Sequence, residues 1–168
     1  GSGTAVGGAG GGAIRLDIRN WLQLNGVIAA NGSDGPTASI PGGAGSGGSI
    51  WVTAFNLTGS GYFQAAGGMG GNGSDDAGGG GGGRIAVYFN HSSLDLTTSS
   101  TAGGSGVASA QRGEVGTLIF VDVNSSNAWI GAGMLFNGSE TSTDGSFKTT
   151  SASPFLFGNL TALQRALI

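Results

Sequence analysis

The chain has no cysteine, one histidine, three prolines and only 9% charged residues among its 168. Without cysteine, neither disulfides nor thiolate metal sites can hold a fold together. Its six basic residues, Arg15, Arg19, Arg84, Arg112, Lys148 and Arg165, are scattered, whereas a nucleic-acid footprint clusters them. No stretch approaches the roughly 18 consecutive apolar residues of a membrane-spanning helix, so no membrane span is expected. A soluble domain usually carries charge on about a quarter of its residues. Something other than charge must therefore keep this surface hydrated. Disorder is disfavoured too, because disordered chains combine low hydrophobicity with high net charge, and this one is 38% hydrophobic with a net charge of −3. It opens Gly1-Ser-Gly-Thr4 with neither an initiator Met nor a signal peptide, and so reads as a processed or excised piece of a larger protein.

Glycine is what the chain has in excess, 38 of 168 residues, and between the glycine tracts a repeat is legible. Apolar residues alternate at Ile14, Leu16 and Ile18, again at Ile50, Val52 and Ala54, then at Ile85, Val87 and Phe89, and more divergently at Leu118 and Phe120. A glycine lead-in precedes each run, and an asparagine (Asn20, Asn56, Asn90, Asn124) closes it. The lead residues at 14, 50, 85 and 118 are 33–36 apart, within the range of stacked repeat arrays. Period-two alternation predicts strands with Ile14, Leu16 and Ile18 on one face and Arg15, Asp17 and Arg19 on the other. Each unit reads as strand, tight turn, second strand and glycine-rich loop. No stretch holds a helical period, with the question open only at Leu160 to Ile168.

The predicted fold is all-β: a parallel β-helix or solenoid of about four repeats of about 35 residues, over residues 1–124. An antiparallel β-sandwich is the alternative. Its core ladder would comprise Ile14, Leu16, Ile18, Ile50, Val52, Ile85, Val87, Leu118 and Phe120. The glycine tracts, such as 41–48 and 78–83, are expected as packed extended segments in which missing side chains let backbones approach, as on the collagen axis. Residues 125–168 depart from the period and are expected to be a divergent cap, linker or assembly contact. There, 129–136 reads as a further strand pair.

Ten asparagines occur, and seven begin Asn-x-Ser/Thr: Asn31, Asn56, Asn72, Asn90, Asn124, Asn137 and Asn159. With Ser and Thr near a fifth of the chain, about two such triplets would arise by chance. Asparagine is a good turn former, but that does not predict a hydroxyl two residues on. The excess points to N-glycans, which would hydrate a charge-poor surface and which require passage through a secretory pathway. An extracellular or cell-surface location follows as an expectation.

Signals for catalysis are weak. His91 sits within the Asn90-His-Ser sequon, and Asp75-Asp76 lies among glycines, whereas a glycosidase needs two carboxylates held across a cleft. Gly70-Gly-Asn-Gly-Ser-Asp75 matches the start of a calcium-binding nonapeptide, but it occurs once and Ala77 is too small for the apolar position. No catalytic residue, metal site or cofactor is assigned. Trp21, Trp51 and Trp129 could stack on sugars if they lay in one groove.

The repeated Gly-Gly-Gly-x-Ile-x-Val pattern resembles the glycine-rich β-repeats of large extracellular and surface proteins. The stacked short strands resemble the pectin-lyase-like parallel β-helix. That family's hydrolases carry Asn-Thr-Asp, Asp-Asp and Gly-His-Gly motifs, of which only Asp75-Asp76 is present here, so the resemblance implies architecture rather than catalysis. The sequence thus leads to a structural segment of a secreted, N-glycosylated fibril, coat or appendage, with itself as partner through β edges. A carbohydrate-binding adhesin module and a polysaccharide-active enzyme are the competing expectations; the latter would need Asp75, Asp76 or Asp122 beside an arginine in a cleft.

Overall fold

In the computed structural model, residues 6–124, 127–130 and 159–162 are described, the last two segments as backbone strands. The expected β-solenoid is present, with about three turns. The long strands β1 (Ala13–Leu24), β3 (Ser49–Gly59), β5 (Arg84–Ser92) and β6 (Thr117–Asp122) lie side by side in one sheet. All three of their pairings are parallel, which removes the antiparallel sandwich. Parallel neighbours need a crossover of a dozen or more residues. Here it comprises a short second strand, β2 (Val27–Ala29) or β4 (Tyr62–Gln64), and two glycine-rich legs. Beyond β6 the sheet changes character: β7 (Asn127–Ile130) pairs antiparallel with β6, and β8 (Asn159–Ala162) parallel with β7. The stretch left open at Leu160 is thus a strand through Ala162. The remainder of 125–168, Asn137 included, lies outside the described residues.

Register turns sequence repetition into a core. Ile14, Ile50, Ile85 and Leu118 stand opposite one another, as do Leu16, Val52, Val87 and Phe120. Leu22 with Leu57 and Ile28 with Phe63 add further rungs. Val52, Leu57, Phe63, Val87 and Phe120 are fully buried, and Phe63 packs on Phe120 with ring centroids 6.1 Å apart. Burial at this level stabilises by about 1.5–3 kcal/mol per large side chain. The equivalents in the first coil, Ile14, Leu16, Ile18, Leu22 and Ile28, pack against this core only half-buried.

The glycine tracts form a second layer with no named strand, touched by β-structure only at the isolated bridges Gln64–Ser100 and Ala77–Val107. Outbound legs (30–38, 65–73, 100–106) and return legs (6–12, 41–48, 77–83, 110–116) alternate, each bonded to its neighbours at every third residue. In the second return leg, Gly42, Gly45 and Gly48 donate to Pro36, Ser33 and Ala30 of the preceding outbound leg. Ala44 and Gly47 donate to Gly78 and Gly81 of the next return leg. A hydrogen-bond period of three is that of the extended polyproline-II helix, which has no internal bonds and must find partners elsewhere. Each leg therefore bonds to several others. Gly59 is the only glycine with positive φ (117°) among the described residues, so the leg glycines answer a demand for closeness. A Cβ on Gly80 would fall on the carbonyl oxygen of Gly45, and one on Gly113 on that of Gly80.

Departures from the repeat sit in the corners. Coil one carries an extra residue, taken up by a bulge between Ile18 and Trp21. Bulges absorb an insertion while register resumes beyond. The third coil has no second strand; a 3-10 turn, Leu96–Thr98, takes its place, capped by the Asp95 carboxylate accepting from Thr97 N. The expected alignment of Asn20, Asn56, Asn90 and Asn124 is corrected by register. Asn56 pairs with Trp21 on one side and His91 on the other, so Asn20 and Asn90 each fall one residue earlier. At the corner two successive residues face outward, and matching on asparagine alone hides that step. Nor do the two Asn-Gly-Ser-Asp segments coincide: Gly32 bonds to Ala66 but Ala38 bonds to Asn72, so Asn31 begins one outbound leg while Asn72 ends the next.

Gly80→Ala is expected to lower stability by about 1–3 kcal/mol, the usual range for overpacking. Gly43→Ala, whose Cβ would lie 3.7 Å from the Gly78 oxygen, should stay within about 0.5 kcal/mol of the parent. Urea unfolding followed by circular dichroism distinguishes them.

Candidate functional site

The outward face of the long sheet collects the chain's remaining chemistry. Strand alternation puts Arg15, Asp17, Trp51, Thr53 and Tyr88 there, between the buried ladders. Arg15 Nε donates to Asp17 Oδ2 at 2.9 Å, and Thr53 Oγ1 donates to Asp17 Oδ1 at 2.8 Å. Those two bonds, the arginine's first, hold the Asp17 carboxyl below its ordinary value. Trp51, opposite Arg15, leans over Tyr88 with centroids 4.8 Å apart and planes 34° apart. Burial pushes the Tyr88 phenol up. Phe55 meets the ring of His91 edge-on at 5.5 Å.

Beside these rings lies a shallow cleft of about 270 Å³, lined by Ile18, Arg19, Thr53, Ala54, Phe55, Tyr88, Asn90 and Val123. It spans four successive strands or their ends, because Thr53 faces Tyr88 and the following residues bring Phe55 beside Asn90. Of these residues, sequence reasoning singled out Asn90 as a sugar acceptor, Ile18 as a rung of the core ladder and Arg19 on the outer face. The remainder become visible once the strands are aligned with the one-residue step at the corner.

The other assigned positions scatter. Asn31 is exposed, yet its amide is a rung between coils: Nδ2 donates to Gln64 Oε1 and Oδ1 accepts from Ala66 N, both at 2.8 Å. Asp34 accepts from Met69 N at 2.7 Å in the same way. Such side chains satisfy backbone donors of the next coil where no carbonyl reaches them. Asn72 is exposed near the far end of its leg, and Asn124 is exposed after β6, its N–H donating to Asp122 Oδ1 at 2.9 Å. Asn159 opens β8. Asp75 and Asp76 stand exposed where two legs reverse, away from the cleft, and Asp76 accepts from both the hydroxyl and the N–H of Ser109. Those bonds hold Asp76 below its ordinary value. Neither residue lines the cleft beside Arg19. Among the described residues, no three of His, Asp and Glu gather to hold a metal. Trp21 and Trp51 are 62% and 43% exposed, but their register puts them at different ends of the face, and the side chain of Trp129 lies outside the described residues.

No family model, curated protein or solved structure matches this chain.

Two outcomes follow. Asp17, Asp76 and Asp95 are all held below 3.8 in the fold. Their contribution to stability is present above 3.8 and lost as pH falls through the lower folded values. The thermal midpoint should therefore drop as pH passes below 3.8, and Asp76→Asn should make that drop shallower. Separately, the Thr101 hydroxyl is buried without a hydrogen-bond partner among the described residues, so Thr101→Val, which removes that polar atom from a site of similar shape, should raise stability by about 1 kcal/mol in chemical denaturation.

Proposed function

We propose that this chain is a structural segment of a secreted, N-glycosylated extracellular fibril, coat or surface appendage, and that it assembles by adding coils at β edges. One observation carries the reading. Among the described residues, the first coil is built like the others but packed on one side only. Its inner residues Ile14, Leu16, Ile18, Leu22 and Ile28 are half-buried, whereas Ile50, Val52, Ala54, Leu57 and Phe63 of the second coil are at most 5% exposed. Among the described strands, the 12-residue β1 is the outermost of its sheet, about 40 Å of edge at strand rise. Such an edge pairs with whatever complementary edge is offered. The best complement is another coil of the same repeat, since coil-on-coil stacking is how every interior rung is made.

The glycine-rich repeat and the sequon excess support the extracellular part of the proposal. N-linked sugars would supply hydration that 9% charge does not. A second reading, a carbohydrate-binding module, is favoured by the Trp51–Tyr88 ring pair on the outer face. Aromatic faces of that kind stack on sugar rings.

Purified glycosylated protein should sediment as species that lengthen with concentration, visible as filaments by electron microscopy. Leu16→Lys, which places a charge on the half-buried edge, should remain monomeric with an unchanged circular-dichroism spectrum. A parent protein that stays monomeric over the same concentrations overturns assembly.

A further inference from the structure

We infer that the cleft on the sheet's outer face is the seat of the molecule's own N-glycan, attached at Asn90, whose first sugar packs on Phe55 and Tyr88. The inference rests on the secretory reading above and goes beyond it by assigning one sequon a specific structural role.

Four observations converge on Asn90. Among the described residues it is the only sequon asparagine that lines the cleft, so a sugar linked there begins inside it. Its side chain makes no hydrogen bond within the described chain, whereas the amide of Asn31 is committed to Gln64 and Ala66. The walls have the chemistry of a pyranose seat. Phe55, 47% exposed, and Tyr88, which lies against Trp51, line it with aromatic surface, and Arg19 and Thr53, whose hydroxyl donates to Asp17, add polar groups. Finally, the cleft is small and open, about 270 Å³, near the lower bound of sites that enclose a drug-sized ligand.

The attachment chemistry is that of the secretory pathway. Asn90 Nδ2 attacks the anomeric carbon of an oligosaccharide carried on a pyrophosphoryl lipid. The carbon–oxygen bond to phosphate breaks, the lipid pyrophosphate leaves, and the amide gives up one proton to the transferase's base. Transfer takes place on the extended chain, when Ser92 is free to be read. In the folded protein the Ser92 hydroxyl accepts from Leu94 N at 3.2 Å. Folding then lays the first sugar, an N-acetylhexosamine, across rings that would otherwise face water.

The test uses the full chain expressed through a eukaryotic secretory pathway. Site-specific mass spectrometry reports occupancy at Asn90, Asn72 and Asn124, and amidase release of the glycans is timed under native conditions. Asn90 should be occupied, and its glycan released about 3- to 10-fold more slowly than that at Asn124, as stacking energies of this kind imply. Phe55→Ala should abolish the difference without changing occupancy. Asn90→Gln, which removes the glycan and leaves the Ser92 hydroxyl bonded to Leu94 N, should lower the thermal midpoint by a few degrees. If Asn72 and Asn124 are occupied and Asn90 is bare, the inference fails and the secretory reading stands. The inference also fails if Asn90 is occupied but released as fast as Asn124. If no sequon is occupied, both fail together.

Discussion

Every coil of this protein is held by backbone hydrogen bonds that reach the next coil, and in half of each coil those bonds require glycine. In the sheet the constraint is familiar: strands sit at about 4.8 Å and side chains stand clear of the ladder. In the legs, bonds radiate toward several neighbours at a period of three, so most positions face another backbone. Gly45 is approached by Ala9 on one side and donates to Ser33 on another. Side chains fit mainly on the outward third, and there Ser46, Gln111 and Glu114 are found, all exposed. The glycine content and low charge thus follow from one geometric demand.

The same demand decides where the repeat can vary. A residue inserted within a leg would rotate the three-residue pattern and break bonds to several neighbours at once. Insertions are tolerated at the corners instead. The bulge after Ile18, the 3-10 turn at Leu96–Thr98 and the reversals near Asp75 and Ala108 absorb them. Side-chain amides and carboxylates mend the lattice at its margins, as Asn31 and Asp34 do for Ala66 and Met69. An asparagine there carries two demands, a coil-spanning bond and a glycosylation signal, which the triplet alone does not separate.

Much of the fold was legible from the alternation of Ile14, Leu16 and Ile18 and its recurrence about 35 residues later. Period-two burial is a local property of strands, and a constant spacing implies stacking. The cleft was not legible, because its lining comes from four strands or their ends and depends on register. Matching Asn56 with Asn90 is the natural reading of the letters, yet backbone pairing sets Asn56 against His91. One residue of slip moves a side chain to the other face of a sheet. The order of the legs was equally hidden, since glycine has no side chain with which to write a period.

By itself, then, the sequence determined that the chain is all-β, that it repeats, which aliphatic residues face inward, and that seven asparagines begin Asn-x-Ser/Thr triplets. Each of these rests on local chemistry: side-chain alternation, spacing and a three-residue motif. Tertiary structure decided the parallel register, the conversion of glycine tracts into a hydrogen-bonded layer, and the meeting of Phe55, Tyr88 and Asn90 around one cleft. Those depend on which backbone lies beside which, and a repeat with flexible corners leaves that to packing.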